Sequence, residues 1–192
     1  MAEKLYFTYD EIHQMISEKM DQISNEFNPD LIIAIGGGGF ISGRISRTFL
    51  KKPLLSVTVK LYNSEEEGTR DKEPTIIQWL DQKNIELIKD KRILIVDEVD
   101  DSRITLSFVV NKILEHGVSS IATFVIHNKI TNKEGILPEN VKHYRCQDIN
   151  DRWIIYPWDA KNINEHNKMC KESKESFFDK FLRYLNVNQL DL

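Results

Sequence analysis

Residues 93–106 read ILIVDEVDDSRITL. Four aliphatic residues, Ile93 to Val96, run into Asp97 and Glu98, and Asp100, Asp101, Ser102, Arg103, Ile104 and Thr105 follow. Carboxylates this close repel and raise one another's pKa, so the stretch calls for a cation or for hydroxyl groups to hold. Ser and Thr hydroxyls, with the free N–H groups of a helix start, make a cradle for phosphate. The segment therefore offers carboxylates for a diol or a metal, then a phosphate cradle, and a ribose 5-phosphate carries both features. Two plainer readings compete: a nucleotide-hydrolase strand with Asp97 holding magnesium, and a solvated strand end.

A second motif, IAIGGGGFISGR (33–44), places Gly36, Gly37, Gly38 and Gly39 between an apolar run and a helical pattern. Glycines there let backbone N–H groups approach an anion, and a helix N-terminus adds a favourable dipole. A dinucleotide fingerprint fails, because it needs glycine at 41 or 42, where Ile41 and Ser42 stand. A P-loop is a nearer miss. Gly38 and Gly43 have its spacing, but Arg44 and Ile45 occupy the Lys and Ser/Thr positions. Four glycines exceed what a tight turn needs, so an anion-binding loop is expected over a plain turn.

The elements that must position these motifs alternate. Helical periodicity runs over 9–26, 40–52 and 104–117, the last stopped by Gly117. Strand-like runs cover 29–35, 54–62, 92–98 and 120–129, with later strands near 141–146 and 152–156. Residues 63–74, NSEEEGTRDKEP, read as a mobile loop. Continuously apolar strands between helices predict an α/β fold with a mainly parallel sheet covered on both faces. In the tail, Phe177, Phe178, Phe181, Leu182 and Leu185 share one helical face, which predicts a docked helix.

The 192 residues suit one domain. A net charge of −4, from 26 basic and 30 acidic residues, gives no case for nucleic-acid or membrane binding. Cys146 and Cys170 form no CxxC, which fits a reduced intracellular chain without a zinc site. The polar N-terminus is no signal peptide, and no run has the length of a membrane span. A soluble cytoplasmic protein is expected.

ILIVDEVDDSRITL resembles the signature of type I phosphoribosyltransferases: an apolar strand, two acidic residues, two more residues, Asp, then a Ser/Thr-rich phosphate loop. DLIIAIGGGGFISGRI resembles the family's pyrophosphate loop, DRWIIYPWD its base-binding hood, and FVIHNK the strand with its base-reading lysine. The likeness covers about residues 28–160 and is strongest to purine members of fungal type, the hypoxanthine-guanine and xanthine enzymes.

The resemblance implies a type I phosphoribosyltransferase fold in one domain, 1–192. Its core would span about 28–130, its hood about 1–10 and 140–165, and its C-terminal helix about 173–186. It implies a purine salvage enzyme that moves the phosphoribosyl group of phosphoribosyl pyrophosphate (PRPP) to N9 of a 6-oxopurine. Asp97 and Glu98 would hold the ribose hydroxyls, directly or through Mg2+, and Asp101 would be the general base at N7. Asp101 to Thr105 would wrap the 5′-phosphate, with Arg103 where the commoner pattern has glycine, and Gly36 to Gly39 would bind pyrophosphate. Gly37 and Gly38 fall where the family has a cis peptide, and many relatives carry Lys or Arg where Gly37 stands. Lys60 and Tyr62 would lead into a loop closing over PRPP. Lys129 would donate to the 6-oxo group, Trp153 stack on the purine and the Ile154 backbone meet its Watson–Crick edge. Asp159 would support magnesium or the exocyclic 2-position, while Tyr156 and Trp158 read as core aromatics. A homodimer or homotetramer is implied. The alternative is a non-catalytic PRPP- or nucleotide-sensing regulator on the same fold, which intact Asp101 and Lys129 disfavour.

Overall fold

A computed structural model describes residues 4–62 and 70–174. The chain forms two compact units, His13–Asp151 and a smaller one built from residues 1–12 and 152–192.

The larger unit holds a six-stranded sheet in the order β4-β3-β2-β5-β6-β7. Its strands are β2 (Leu31–Gly36), β3 (Leu54–Tyr62), β4 (Arg70–Gln78), β5 (Arg92–Asp100), β6 (Ser120–Lys129) and β7 (Lys142–Ile149). Every neighbouring pair is parallel except β3–β4. Three helices connect them: α2 (Gly39–Leu50), α3 (Gln82–Ile88) and α4 (Ile104–Leu114). Buried on both faces, Leu31 to Ile35 and Ile93 to Val96 expose almost nothing to solvent, as expected of central parallel strands. Leu106, Val109, Val110 and Ile113 of α4 complete the apolar cluster. Each such fully buried side chain contributes about 1.5–3 kcal/mol.

Two boundaries differ from the sequence reading. Residues 70–74, expected in the loop, belong to strand β4: Arg70 pairs with Tyr62, and after a register shift the pairing resumes at Thr75 with Lys60. Pro74 is tolerated because β4 is the sheet edge, where a missing N–H breaks no ladder bond. Helix α4 ends at Leu114 rather than 117, and Gly117 turns the chain at φ 71°. Residues 142–149, grouped above with the hood, pair with β6 as the sixth strand. Residues 63–69 lie outside the described residues, as does most of the expected 173–186 helix.

In the smaller unit β1 (Lys4–Tyr6) pairs in parallel with β8 (Trp153–Ile155). Helix α1 (Tyr9–Glu26), which runs from this unit into the larger one, starts with a capping box. Thr8 N–H donates to Glu11 (2.9 Å), and Glu11 N–H donates to Thr8 Oγ1 (3.3 Å). Tyr156 is buried and stacks on Trp158 with centroids 4.5 Å apart, so both are packing aromatics as read. A helical run over 163–174 follows, with Asn162 capping it through Asn164 and Glu165 N–H. Both cysteines are free thiols. Among the described residues no helix is long and apolar enough to cross a membrane.

Candidate active site

The order of the sheet reverses direction between β2 and β5. The chain leaves β2 toward β3 and leaves β5 toward β6 and β7. Ligands of open α/β sheets bind at the carboxyl ends of strands on either side of such a switch point. Both motifs emerge there. Gly36 ends β2 and Gly39 opens α2, while Asp97 to Asp100 end β5 and Ile104 opens α4.

In the first turn of α2 the N–H groups of Phe40 and Ile41 donate back to the Gly37 and Gly38 carbonyls, at 3.2 and 3.3 Å. Gly38 caps α2 without a side-chain bond. A Cβ at Gly38 would collide with the Glu98 carboxylate, and one at Gly39 would lie 2.8 Å from the Val96 carbonyl oxygen. Only glycine lets this loop approach the acidic strand end. The cis peptide joins Gly36 to Gly37, one bond earlier than the Gly37–Gly38 position expected.

The four carboxylates do not share one partner. Alternation along β5 and the turn after it send them to three environments. Asp97 is buried and its Oδ1 accepts the Glu98 N–H (2.9 Å), while Ser42 Oγ donates to its carbonyl (3.3 Å). Burial, and then the neighbouring Glu98 charge, hold the Asp97 carboxyl well above the usual carboxylate range. Asp100 is wholly buried and meets Arg103 (2.7 Å), His143 (3.4 Å) and Lys133 (3.5 Å). Asp101 stays 47% exposed, and its Oδ2 accepts from Lys129 Nζ at 3.1 Å.

Lys129, at the end of β6, is only 10% exposed and also reaches Asp151 at 3.4 Å. Sequence reasoning assigned Asp101 and Lys129 separately, and the fold joins them. Arg103, the residue standing where the commoner pattern has glycine, takes φ 69°, the left-handed conformation glycine favours. Its guanidinium is held by Asp100 through Nε (2.8 Å) and Nη2 (2.7 Å). Ser102 is buried, and Thr105 is half-buried in the first turn of α4.

Lys60 is half-buried on β3 opposite Thr75, and Tyr62 ends that strand. In the smaller unit Trp153 is 63% exposed, which suits a stacking surface better than a packing role. Ile154 pairs with Leu5, and exposed Asp159 ends a short 3-10 turn. Among the described residues no cluster of three or more His, Cys, Asp or Glu forms a metal site.

Sequence reasoning missed Asp100, Thr131, Lys133, His143 and Asp151. Asp100 was visible as one of four acids, but nothing local said that it turns inward. His127 is buried and His143 partly so, and desolvation holds both imidazoles down to about 4. For His143 the Asp100 charge opposes burial, while Arg103, Arg145 and Lys133 reinforce it. A histidine lowered on folding lets the unfolded chain take up protons first. Stability is therefore full above about 6.5 and is lost as pH falls toward 4, by up to roughly 3 kcal/mol for each ring. Denaturant unfolding at stepped pH should show this loss, and the His127→Gln/His143→Gln variant should show a shallower slope between pH 6.5 and 4.

A glycine turn thus faces an acidic strand end and a second helix start at one switch point. Residues 8–162 match the phosphoribosyl transferase domain family. The protein belongs to that family. This phosphoribosyltransferase is 36% identical over 192 residues to the hypoxanthine-guanine phosphoribosyltransferase of Schizosaccharomyces pombe, covering 85% of this chain and 93% of the relative. It is 36% identical over 204 residues to xanthine phosphoribosyltransferase 1 of Saccharomyces cerevisiae, covering 88% and 96%. A crystal structure of a hypothetical protein from Neisseria gonorrhoeae with bound ppGpp superposes with a TM-score of 0.82 at 40% identity, covering 90% of this chain and 98% of that one. The sheet and its helices are those of the type I phosphoribosyltransferase fold.

Proposed function

We propose that this phosphoribosyltransferase is a purine salvage enzyme. It transfers the 5-phosphoribosyl group of PRPP to N9 of hypoxanthine, guanine or xanthine, giving the nucleoside monophosphate and pyrophosphate. The observation that carries the reading is the contact between Lys129 and Asp101 beside the phosphate-type loop. A cationic donor beside a carboxylate suits the 6-oxo group and N7 of a purine.

Gly36 to Gly39 hold the pyrophosphate through backbone amides, since Gly37 has no side-chain charge to offer. Residues 101–105 bind the 5′-phosphate. Asp97 and Glu98 hold the ribose hydroxyls. Asp101 takes the N7 proton as N9 attacks C1 and pyrophosphate leaves. Lys129 donates to the 6-oxo oxygen, Trp153 stacks on the base, and the Ile154 backbone serves its edge. Lys60 and Tyr62, at the end of β3, take the place of the family's flexible-loop entry. Asp159 is placed with magnesium or the 2-position.

Magnesium fits Asp97 and Glu98. Both are hard oxygen donors, and Asp97 carries a charge that burial and Glu98 disfavour, which a divalent cation would relieve. When bound it supplies charge stabilisation for the departing pyrophosphate. The ppGpp bound to the Neisseria protein supports guanosine phosphates as ligands here. A homodimer or homotetramer in the cytoplasm is part of this proposal.

The test is nucleotide formation from PRPP and magnesium with hypoxanthine, guanine, xanthine and adenine in turn. Turnover of 6-oxopurines and not adenine is expected, because a buried donor left unpaired penalises a 6-amino group. Lys129→Met should lower kcat/KM for 6-oxopurines about 10–100-fold, the worth of one charged hydrogen bond. Measurable PRPP binding without turnover of any base would favour the regulator instead.

A further inference from the structure

Residues 131–135, a short polar segment after β6, grip the phosphate-type loop from behind. Lys133 Nζ donates to the carbonyl oxygens of Asp100 and Asp101, each at 2.7 Å. Thr131 Oγ1 also donates to the Asp101 carbonyl, at 3.1 Å. The N–H groups of Glu134 and Gly135 both donate to the Ser102 carbonyl, at 3.0 Å. Three successive carbonyls are thus all drawn to one segment. Gly135 permits the approach, because a Cβ there would collide with the Arg103 carbonyl. The Lys133 side chain is only 16% exposed, and its ammonium lies 3.5 Å from Asp100 Oδ1. The other Asp100 oxygen holds Arg103 and lies 3.4 Å from His143 Nε2.

A peptide unit is a rigid plane whose C=O and N–H point in opposite directions when trans. Carbonyls of residues 100–102 pulled toward 131–135 therefore turn the N–H groups of 101–103 the other way. Successive N–H groups ending in a left-handed residue make an anion-binding concavity. Arg103, at φ 69°, is that residue, and the Asp100–Arg103 pair holds a conformation that the missing glycine would take unaided.

We infer that Lys133 is a positioning residue for the 5′-phosphate: it pins the Asp100 and Asp101 carbonyls and so presents the opposing amides to the phosphate. It touches neither substrate nor reacting atoms. The inference rests on the assignment of residues 101–105 as the 5′-phosphate loop.

The test is the ratio of GMP to guanosine affinity in the full-length protein, measured by calorimetry, with steady-state KM for PRPP and for guanine alongside. In Lys133→Ala the ratio should fall about tenfold and KM for PRPP rise by a similar factor. Guanosine affinity and KM for guanine should stay near wild type, and added ethylammonium should restore part of the ratio. Thr131→Val, which removes one weaker bond to the same carbonyl, should lower the ratio a few-fold and keeps the test usable if Lys133→Ala fails to fold. A large wild-type ratio left unchanged in the variants would overturn the inference alone. Equal loss of GMP and guanosine binding would make Lys133 merely structural and would also overturn it. A wild-type ratio near one would overturn the phosphate-loop assignment itself.

Discussion

Replacing Asp101 by asparagine is expected to lower kcat for nucleotide formation by about 10²–10⁴-fold, the usual worth of a positioned general base. Asparagine keeps the shape and one acceptor oxygen but cannot take a proton. Asp101 is 47% exposed and, among the described residues, its carboxylate is tied through Oδ2 to Lys129, so its loss leaves no buried carboxylate stranded. Lys129 retains Asp151 at 3.4 Å as a second anion. PRPP binding should therefore change by no more than a few-fold, and thermal stability by little. Steady-state kinetics with a parallel PRPP titration separates these terms. A kcat within a few-fold of wild type would remove Asp101 from proton transfer.

Asp97→Asn should have the second large effect, and in two opposite directions. Activity should fall by about 10²-fold or more, because charged hydrogen bonds to the ribose hydroxyls, or the magnesium they share, are lost. Stability of the metal-free protein should rise. Burial and the Glu98 charge raise the Asp97 pKa on folding, so its ionised form costs the folded state free energy at neutral pH. The sign follows from linkage. A carboxyl raised on folding contributes stability that is full below its unfolded pKa and is lost as pH rises through the folded value. An uncharged asparagine removes that loss, so the gain in melting temperature should be present at pH 7 and vanish in acid. Scanning calorimetry of both proteins without added metal, at pH 7 and near pH 3.5, measures it. A lower melting temperature for the variant at pH 7 would show that the Asp97 charge is already compensated within the fold.

Much of this protein was legible in its sequence because the signals are local. Periodicity placed α1 and β6 at their observed bounds, since a buried parallel strand must be apolar throughout and an amphipathic helix must repeat. The glycine run pointed to an anion-binding loop and the acidic run to a cation or hydroxyl groups, because four glycines together exceed what a turn needs and four carboxylates within five residues repel one another. Residues 70–74 of edge strand β4 were read as loop because Pro74 and its charged neighbours carry loop chemistry, and only the pairing of β4 with β3 makes them strand.

What the tertiary structure decided is where each charged group goes. Asp100 and Asp101 are neighbours in the chain, yet one is wholly buried on Arg103, His143 and Lys133, and the other is exposed on Lys129. Those partners lie 28 or more residues away on β6, β7 and the 131–135 segment, except Arg103. A strand alternates its side chains but does not say which face will meet a cation, and that choice is made when β5, β6 and β7 pair. The residue types therefore determined the fold class and the chemistry on offer. Sheet pairing determined which carboxylate is buried among cations and which stays partly exposed, because the desolvation of a charge is tolerated only where distant strands bring it an opposite one.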